Sequence, residues 1–258
     1  MYDYQQELEI GRTIVRQAGD TALAYYRKGI AFEAKADDSP VTAADRASEQ
    51  LIARALEEAF PDDGLLGEEG ARKPSRSGRR WIIDPIDGTR DFVRGSPSWA
   101  VLLGLEADNE VVAGFAYHPA LSELLSAARG RGAWMNEQPI HASTIATPAE
   151  AVLCVNGFNI VTAHPFADRL LEWMRPFWAV RSMGGCLDAT MVVRGQADLW
   201  LELAGKPWDF APLKILAEEA GARFFDFAGN RTIYGGNCII CAPGLEQVAR
   251  DFVSGAAE

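Results

Sequence analysis

The first 60 residues carry two stretches in which apolar side chains recur at helical spacing. Between Tyr4 and Lys28 the apolar positions are Leu8, Ile14, Val15, Ala18, Ala22 and Tyr25. A second stripe begins after T-A-A-D, residues 42–45, and comprises Leu51, Ile52, Ala55, Leu56 and Ala59. Recurrence every three or four residues is typical of amphipathic helices. We therefore predict two helices, each with one buried face.

Strand-like segments follow in the next part of the chain. Ser98 to Leu105 and Val111 to Tyr117 are separated by the turn-forming E-A-D-N-E, which predicts an antiparallel hairpin. Leu121 to Ala128 and the segment around Trp134 extend the pattern. We expect an antiparallel sheet, flanked by the two helices, in an N-terminal half that covers residues 1–144.

From about residue 145 the chain alternates between strand-like and helix-like segments. In order they are A-V-L-C-V-N-G, His164 to Met174, F-W-A-V-R-S, Leu187 to Gly195, D-L-W-L-E-L and a helix that opens with W-D-F-A-P. Alternation of this kind indicates an α/β arrangement. We therefore predict a C-terminal α/β half, residues 145–258, packed on the first half.

Composition and charge narrow the class of protein. The chain has 258 residues and a formal net charge of −11, which argues against a nucleic-acid partner. No apolar run reaches the roughly 18 residues of a membrane span, and the N-terminus lacks a signal-peptide pattern. We expect a cytoplasmic protein with no membrane partner. The basic residues between 72 and 80 lie among Pro, Ser and Gly, which predicts a solvated loop.

The cysteines and histidines suggest structural roles. Cys238 and Cys241 have the spacing of a redox motif, but they lie in an apolar run that is typical of a buried strand. In a strand these two side chains point to opposite faces. His118, His141 and His164 fall at a strand end, a turn and a helix start, where we interpret them as structural.

The segment W-I-I-D-P-I-D-G-T, residues 81–89, is the most informative for chemistry. Its apolar start predicts the end of a buried strand, and Asp84, Pro85, Asp87 and Gly88 then predict a sharp turn. Thr89 is a candidate first residue of a short helix, whose first amides suit an anion. A simple Asp-Pro, Asp-Gly turn that closes a hairpin is the competing interpretation.

Acidic residues elsewhere in the chain favour a metal site over a simple turn. Glu68 follows a glycine in L-L-G-E-E-G, and Asp209 opens the W-D-F-A-P helix. Each has an ordinary explanation. Glu68 suits a solvated surface position, and Asp209 suits an acid at a helix N-terminus. Together with Asp84 and Asp87, however, they supply oxygen ligands of the kind that Mg²⁺ prefers. Clustered carboxylates without a cation would repel one another.

The chain resembles the inositol monophosphatase family of magnesium-dependent phosphatases. The resemblance rests on D-P-I-D-G-T at residues 84–89, on W-D at Trp208 and Asp209, and on the upstream G-E-E. It covers nearly the whole chain. It implies a layered αβαβα sandwich, like that of the fructose-1,6-bisphosphatases, in a homodimer. It also implies two or three Mg²⁺ ions per site and inhibition by Li⁺ and Ca²⁺.

Roles for individual residues follow from the resemblance. It implies that Mg²⁺ is held by the side chains of Glu68, Asp84, Asp87 and Asp209 and by the Ile86 carbonyl. Asp87, Gly88 and Thr89 would contact the phosphate. Thr89 and Glu68 would position the attacking water and help to deprotonate it. Asp45 would accept a hydrogen bond from the Thr89 hydroxyl, although its spacing from Thr42 also fits a helix-capping pair.

The substrate is less sharply indicated. Glu202 matches the position at which inositol phosphatases of this family contact a sugar hydroxyl, although it also suits the end of an edge strand. S-P-V-T-A-A-D-R and D-F-V-R-G-S-P-S-W-A resemble the histidinol-phosphate phosphatases more closely. Gly185 stands where many of those enzymes have an Asp, and Arg181 is a further candidate contact.

We expect a histidinol-phosphate phosphatase, with an inositol-1-monophosphatase or a promiscuous sugar-phosphate phosphatase as the alternatives. An inactive relative that binds phosphorylated metabolites as a sensor or scaffold is a non-enzymatic alternative. A protein-binding regulatory role in addition to catalysis is a further alternative. Retention of Thr89, Asp45 and all the proposed ligands argues against the inactive relative.

Overall fold

The computed structural model describes residues 3–28, 33–34, 40–41 and 43–255. Thr42, and with it the predicted capping pair with Asp45, lies outside the described residues. The α-helices of the described part are α1 (Gln5–Tyr26), α2 (Ala43–Ala59), α3 (Thr89–Arg94), α4 (Leu170–Met174), α5 (Leu187–Val193), α6 (Pro207–Glu219) and α7 (Glu246–Ser254).

The strands of the described part fall into three sheets. A short antiparallel pair consists of β1 (Glu33–Ala34) and β2 (Pro40–Val41). The large sheet contains β3 (Gly64–Gly67), β4 (Arg72–Lys73), β5 (Arg79–Asp87), β6 (Ala100–Ala107), β7 (Glu110–His118), β8 (Glu123–Ala128), β9 (Ala133–Met135) and β10 (Gln138–Ile140). The smaller sheet contains β11 (Val152–Asn156), β12 (Ala179–Arg181), β13 (Leu199–Glu202), β14 (Arg223–Phe225) and β15 (Cys238–Cys241).

The large sheet has the order β10-β9-β8-β7-β6-β5-β3-β4. Its neighbours are antiparallel, as expected, except that β3 and β5 run parallel. The chain leaves β3, forms the outermost strand β4 and then crosses back, so it enters β5 in the direction of β3. This exception matters for the site, because parallel strands end at the same edge of a sheet.

The expected loop at residues 72–80 is only partly a loop. Arg72 and Lys73 form β4, while Arg79 and Arg80 begin β5. The Arg79 guanidinium lies 2.7 Å from the Asp63 carboxylate and 2.6 Å from that of Glu7, and its side chain is 18% exposed. The solvated-loop prediction was therefore wrong for Arg79, because two buried carboxylates draw its charge into the protein.

Three apolar layers hold the sheets and helices together. α1 and α2 cover the outer face of the large sheet. Val15 of α1 and Leu56 of α2 share an apolar cluster there with Phe115 of β7. α5 and α6 lie between the two sheets, and α4 and α7 cover the far face of the smaller sheet. The result is the layered αβαβα sandwich that the family resemblance implies. The division at residue 144 stays a prediction, since the central layer draws on both halves.

Two glycines let α6 approach the large sheet closely. Gly104 and Gly114 are cross-strand partners on β6 and β7. A β-carbon at Gly104 would lie 2.8 Å from the Ala211 β-carbon, and one at Gly114 would lie 2.5 Å from Ile215 Cγ2 and 2.7 Å from the Pro212 carbonyl oxygen. Side chains there would push α6 away from the sheet.

The smaller sheet has the order β12-β11-β13-β15-β14, with β11 parallel to β12 and β13. The predicted buried strand around Cys238 and Cys241 is confirmed. Cys238 belongs to the central apolar layer and Cys241 to the outer one, so the two thiols lie on opposite faces. None of the helices in the described part of the chain is long and apolar enough to cross a membrane.

Candidate metal and phosphate site

The parallel pair β3 and β5 brings the first two acids together. Gly67 pairs with Ile83, and the backbone N–H of Glu68 donates to the Ile83 carbonyl oxygen at 3.1 Å. Glu68 directly follows the end of β3, and Asp84 follows Ile83 in β5. Their shared position at one edge follows from the parallel direction, which the sequence did not indicate.

A break in the β5–β6 ladder turns Asp87 back toward Asp84. The register shifts between these two residues, and the Ile86 N–H donates to Asp84 Oδ1 at 3.0 Å. An irregularity of this kind bends a strand and re-aims its side chains. The predicted sharp turn thus lies within the end of β5, and the hairpin turn that competed with it is excluded.

Asp209 reaches the same point from the central layer. Pro207 is the first residue of α6, and Asp209 Oδ2 accepts the Lys206 N–H at 2.7 Å. The ordinary role of an acid in a first helical turn therefore holds here too. Oxygens of Asp84, Asp87 and Asp209 all lie within 4.8 Å of one another.

The electrostatics of this cluster favour a bound cation. Burial raises the pKa of Asp84 well above its ordinary range, and the charges of Glu68, Asp87 and Asp209 raise it further. Burial, followed by the charge of Asp87, raises the pKa of Asp209 to about 7. Burial also raises the pKa of Asp87 to about 6. The donor set consists of carboxylate oxygens, so it fits a hard divalent ion such as Mg²⁺.

Gly88 and Thr89 continue directly from Asp87. Gly88 has a φ of +80°, and a β-carbon there would lie 2.8 Å from the Ser98 carbonyl oxygen. Glycine is therefore required for this turn. Thr89 begins α3, as predicted, and its hydroxyl donates to the Ile86 carbonyl oxygen at 3.0 Å.

Asp45 lies buried in the first turn of α2. Its neighbour Ala44 belongs to the same apolar cluster as Ile86 and Phe92, so the start of α2 packs near the end of β5 and α3. The Thr89 hydroxyl proton points to Ile86 in this arrangement. The proposed hydrogen bond from Thr89 to Asp45 stays a prediction.

A cavity of about 550 Å³ opens beside the acidic cluster. Of the predicted site residues, its walls include Glu68, Asp87, Gly88, Thr89, Gly185, Glu202 and Asp209. Arg181 is exposed on the edge strand β12, and its guanidinium donates to the Val180 carbonyl oxygen at 2.9 Å. Arg181 is not among the described residues that line this cavity.

Comparison with known proteins assigns this chain to a family. The model of the inositol monophosphatase family matches residues 3–255. The chain belongs to the inositol monophosphatase family. It is 37% identical over 237 residues to a histidinol-phosphatase of Chlorobaculum parvum, covering 92% of each chain. It is 32% identical to an inositol-1-monophosphatase of Mesorhizobium japonicum, covering 95% of this chain and 94% of the relative.

A solved structure has the same fold. An IMPase from Thermotoga maritima superposes with a TM-score of 0.86 at 29% identity, over 96% of this chain and 97% of the other. The predicted family is thus confirmed, and this family member is a phosphatase, a hydrolase of phosphate monoesters. The alternative of an inactive relative is set aside on the same grounds, and a protein-binding regulatory role in addition to catalysis stays a prediction.

The substrate side of the cavity contains residues that sequence reasoning missed. Asn156 ends β11 and is the register partner of Glu202 on the parallel strand β13. Its amide donates to the Gly185 carbonyl oxygen at 3.1 Å and its side-chain oxygen accepts the Ser182 hydroxyl at 3.2 Å. The polar end of the run A-V-L-C-V-N-G was the available signal.

Gly185 contributes backbone to this wall. It has a φ of +53°, and a β-carbon there would lie 2.7 Å from the Ser98 carbonyl oxygen and 2.9 Å from Asp87 Oδ2. The next residue, Cys186, donates its N–H to Asp87 Oδ2 at 2.5 Å. An Asp at position 185 would therefore disturb the Asp87 carboxylate in this chain. Burial raises the pKa of Glu202, which also lines the cavity, to about 8.

Proposed function

We propose that this chain hydrolyses a small phosphate monoester by an Mg²⁺-dependent attack of water. The observation that carries the proposal is the group of three carboxylates, with oxygens within 4.8 Å of one another, beside a cavity of metabolite size. Asp84, Asp87, Asp209 and Glu68, with the Ile86 carbonyl, would hold the ions. Mg²⁺ supplies charge neutralisation at the phosphate and a lowered pKa of water.

The protein groups around the ions have separate tasks in this proposal. The amides of Gly88 and Thr89, with Asp87 beside them, hold the phosphate. The Thr89 hydroxyl and the Glu68 carboxylate would orient the attacking water and help to remove its proton. The bond between phosphorus and the leaving oxygen breaks as water attacks, and the leaving oxygen takes up the proton that the water gives up. Asp45 orients the Thr89 hydroxyl. Positioning and electrostatics are sufficient for such a reaction, so no covalent nucleophile is required.

We infer histidinol phosphate as the substrate. The 37% identity to a protein named histidinol-phosphatase, against 32% to one named inositol-1-monophosphatase, supports this choice. Glu202 supplies a carboxylate on the substrate side of the cavity. Inositol 1-phosphate is the second candidate, because Glu202 also suits a sugar hydroxyl. Gly185 acts through its backbone in either case, and Arg181 would contact only a substrate that extends beyond the cavity.

A phosphate-release screen tests the substrate. The esters are histidinol phosphate, inositol 1-phosphate, fructose 1,6-bisphosphate and 3′-phosphoadenosine 5′-phosphate, compared by kcat/KM. We expect histidinol phosphate to lead by about a hundredfold, which corresponds to ~2.7 kcal/mol of transition-state binding. Similar values for all four would favour the promiscuous sugar-phosphate phosphatase, and full activity in chelator-treated protein would overturn the Mg²⁺ requirement.

The remaining parts of the proposal concern ions and assembly. We propose two or three Mg²⁺ per site, inhibition by Li⁺ and Ca²⁺, a cytoplasmic location and a homodimer. Leu171 on α4 and Trp178, the residue before β12, are 75% and 71% exposed, which supports an apolar contact with a second copy. Light scattering should give about twice the 28.1 kDa of one chain, whereas the mass of a single chain would exclude the dimer.

A further inference from the structure

A buried carboxylate outside the metal-ligand set contacts the loop that carries Glu68. Glu49 lies on α2 and is 4% exposed. Its Oε2 accepts the N–H of Glu69 at 2.8 Å, and its Oε1 accepts the N–H of Ala71 at 2.7 Å. A buried carboxylate is costly unless it is hydrogen-bonded. Here both oxygens are used on a segment 20 and 22 residues further along the chain.

The contacted loop joins β3 to β4, and backbone hydrogen bonds hold it at two further points. The Gly67 N–H donates to the Ala71 carbonyl oxygen at 2.8 Å, which closes the loop on itself. The Glu68 N–H is bound to β5 through Ile83. With Glu69 bound to Glu49, consecutive amides on either side of the Glu68 α-carbon are fixed to two different elements. These two anchors determine the direction in which the Glu68 side chain leaves the backbone.

The sequence makes room for this contact at Gly67. A β-carbon at this position would lie 2.3 Å from Glu49 Oε2, far inside van der Waals contact. The glycine therefore serves the approach of the Glu49 carboxylate to the loop amides. Its φ is not in the left-handed region, so backbone conformation does not explain the choice.

Arg72 holds the same loop from the opposite side. Its guanidinium donates to the carbonyl oxygens of Gly67 and Ala71, the second at 2.9 Å. It also lies 6.0 Å from the ring centre of Trp208, the residue before Asp209. The Glu49 carboxylate thus ties the loop to α2, and the Arg72 guanidinium links the loop to the start of α6.

We propose that Glu49 is a positioning residue of the metal site, whose carboxylate holds the β3–β4 loop so that Glu68 faces Asp84 and Asp87. Both oxygens of the Glu49 carboxylate accept backbone N–H groups of this loop. Glu49 acts on the geometry of a metal ligand. Hydrogen bonds from residues behind metal ligands commonly act in this way. The inference rests on the proposed function for the role of Glu68.

The first test replaces Glu49 by Gln and measures Mg²⁺ binding by isothermal titration calorimetry. A carboxamide offers one acceptor and turns a donor toward the second amide, so one loop contact is lost. We expect the dissociation constant for Mg²⁺ to rise about tenfold or more. Saturating Mg²⁺ should restore kcat to near the wild-type value, because the catalytic groups are intact. Glu58→Gln, an exposed position on the same helix, is the matched control.

A second variant separates position from charge. Gly67→Ala keeps the Glu49 charge but displaces its carboxylate, so we expect a similar loss of Mg²⁺ affinity. It also provides the test if Glu49→Gln does not fold. Wild-type Mg²⁺ affinity in a folded Glu49→Gln protein, or in Gly67→Ala, would overturn the role of Glu49 alone. Absence of Mg²⁺ binding by the wild type would instead overturn the proposed function and this role with it.

Discussion

The carboxylates of the site are placed by different local devices. Asp84 ends a ladder segment, Asp87 follows a strand irregularity, Asp209 caps the start of α6 and Glu68 follows a parallel strand. Each has a structural reason for its position, and only their convergence creates a place for a cation. Removing one charge should therefore affect function far more than folding.

The first prediction concerns Asp209→Asn, with Asp84→Asn as a parallel variant. We expect kcat/KM for phosphate release to fall by at least about a hundredfold, because a charged ligand for Mg²⁺ is lost. The melting temperature without metal should stay the same or rise, since repulsion within the cluster is relieved. Steady-state kinetics and calorimetry measure the two effects. Turnover near the wild-type rate would show that the ligand assignment is wrong.

The second prediction concerns a residue away from the cluster. His118 is fully buried, its Nδ1 lies 3.2 Å from the Trp99 carbonyl oxygen, and burial lowers its pKa from 6.5 to about 4. A carbonyl can only accept, so the neutral ring donates from Nδ1. The interpretation of this histidine as structural agrees with that environment.

The sign of the pH effect of His118 follows from proton linkage. Above pH 6.5 neither state protonates the ring, so its contribution to stability is complete there. As the pH falls from 6.5 to about 4, the unfolded chain takes up the proton first, and about 3 kcal/mol is lost. Denaturant unfolding of wild type and His118→Gln across this range should show a shallower loss in the variant. His141→Gln, at an exposed position, should match the wild type.

At the scale of elements, α6 is the helix that joins the two sheets. Its apolar residues fill the central layer, and Gly104 and Gly114 let it lie against the large sheet. The same close approach sets the depth at which its first turn presents Asp209. Packing of this helix and geometry of the site are therefore linked.

The third prediction tests this link with Gly114→Ala. The added methyl would meet Ile215 Cγ2 at 2.5 Å and the Pro212 α-carbon at 2.8 Å, so α6 must shift. We expect the free energy of unfolding to fall by about 1–3 kcal/mol and the affinity for Mg²⁺ to fall with it. Denaturant unfolding and calorimetric titration measure the two quantities. Unchanged stability would mean that the sheet absorbs the methyl without moving the helix.

At the scale of the whole molecule, the site draws on both halves of the chain. Glu68, Asp84 and Asp87 come from the large sheet, while Asp209 and the Gly185 segment come from the C-terminal part. A cation held among these carboxylates connects the central helix layer to the edge of the large sheet. Its binding should consequently stabilise the entire fold.

The fourth prediction is that Mg²⁺ raises the melting temperature. At an Mg²⁺ concentration of 100 times the dissociation constant, binding to the folded state alone adds ~2.7 kcal/mol to the free energy of unfolding. Calorimetry of chelator-treated protein with and without added Mg²⁺ measures the shift. Asp209→Asn should lose most of it. A melting temperature that ignores Mg²⁺ in the wild type would contradict a metal site in this cluster.

Local signals in the sequence were sufficient for most elements. Apolar periodicity predicted α1, α2 and the β6–β7 hairpin because one buried face imposes a spacing that the sequence must carry. The C-I-I-C run was predicted as a buried strand because it lies in a continuous apolar run, which suits a strand that is buried on both faces. Arg79 was missed because its carboxylate partners lie far away in the sequence, at Glu7 and Asp63.

The sequence by itself determined the family of this protein and predicted its chemistry: acidic residues at D-P-I-D-G-T, G-E-E and W-D indicate a hard cation, and the family resemblance implies a phosphate ester. Residue type and local spacing determine which ions and groups a side chain binds well. Both can be read from the sequence before the fold is known. The tertiary structure decided which atoms meet. Contacts between distant segments, which no local pattern encodes, determine the remaining features. These are the parallel direction of β3, the depth of α6, the hydrogen bonds of Glu49 to the Glu68 loop and the exposure of Arg181.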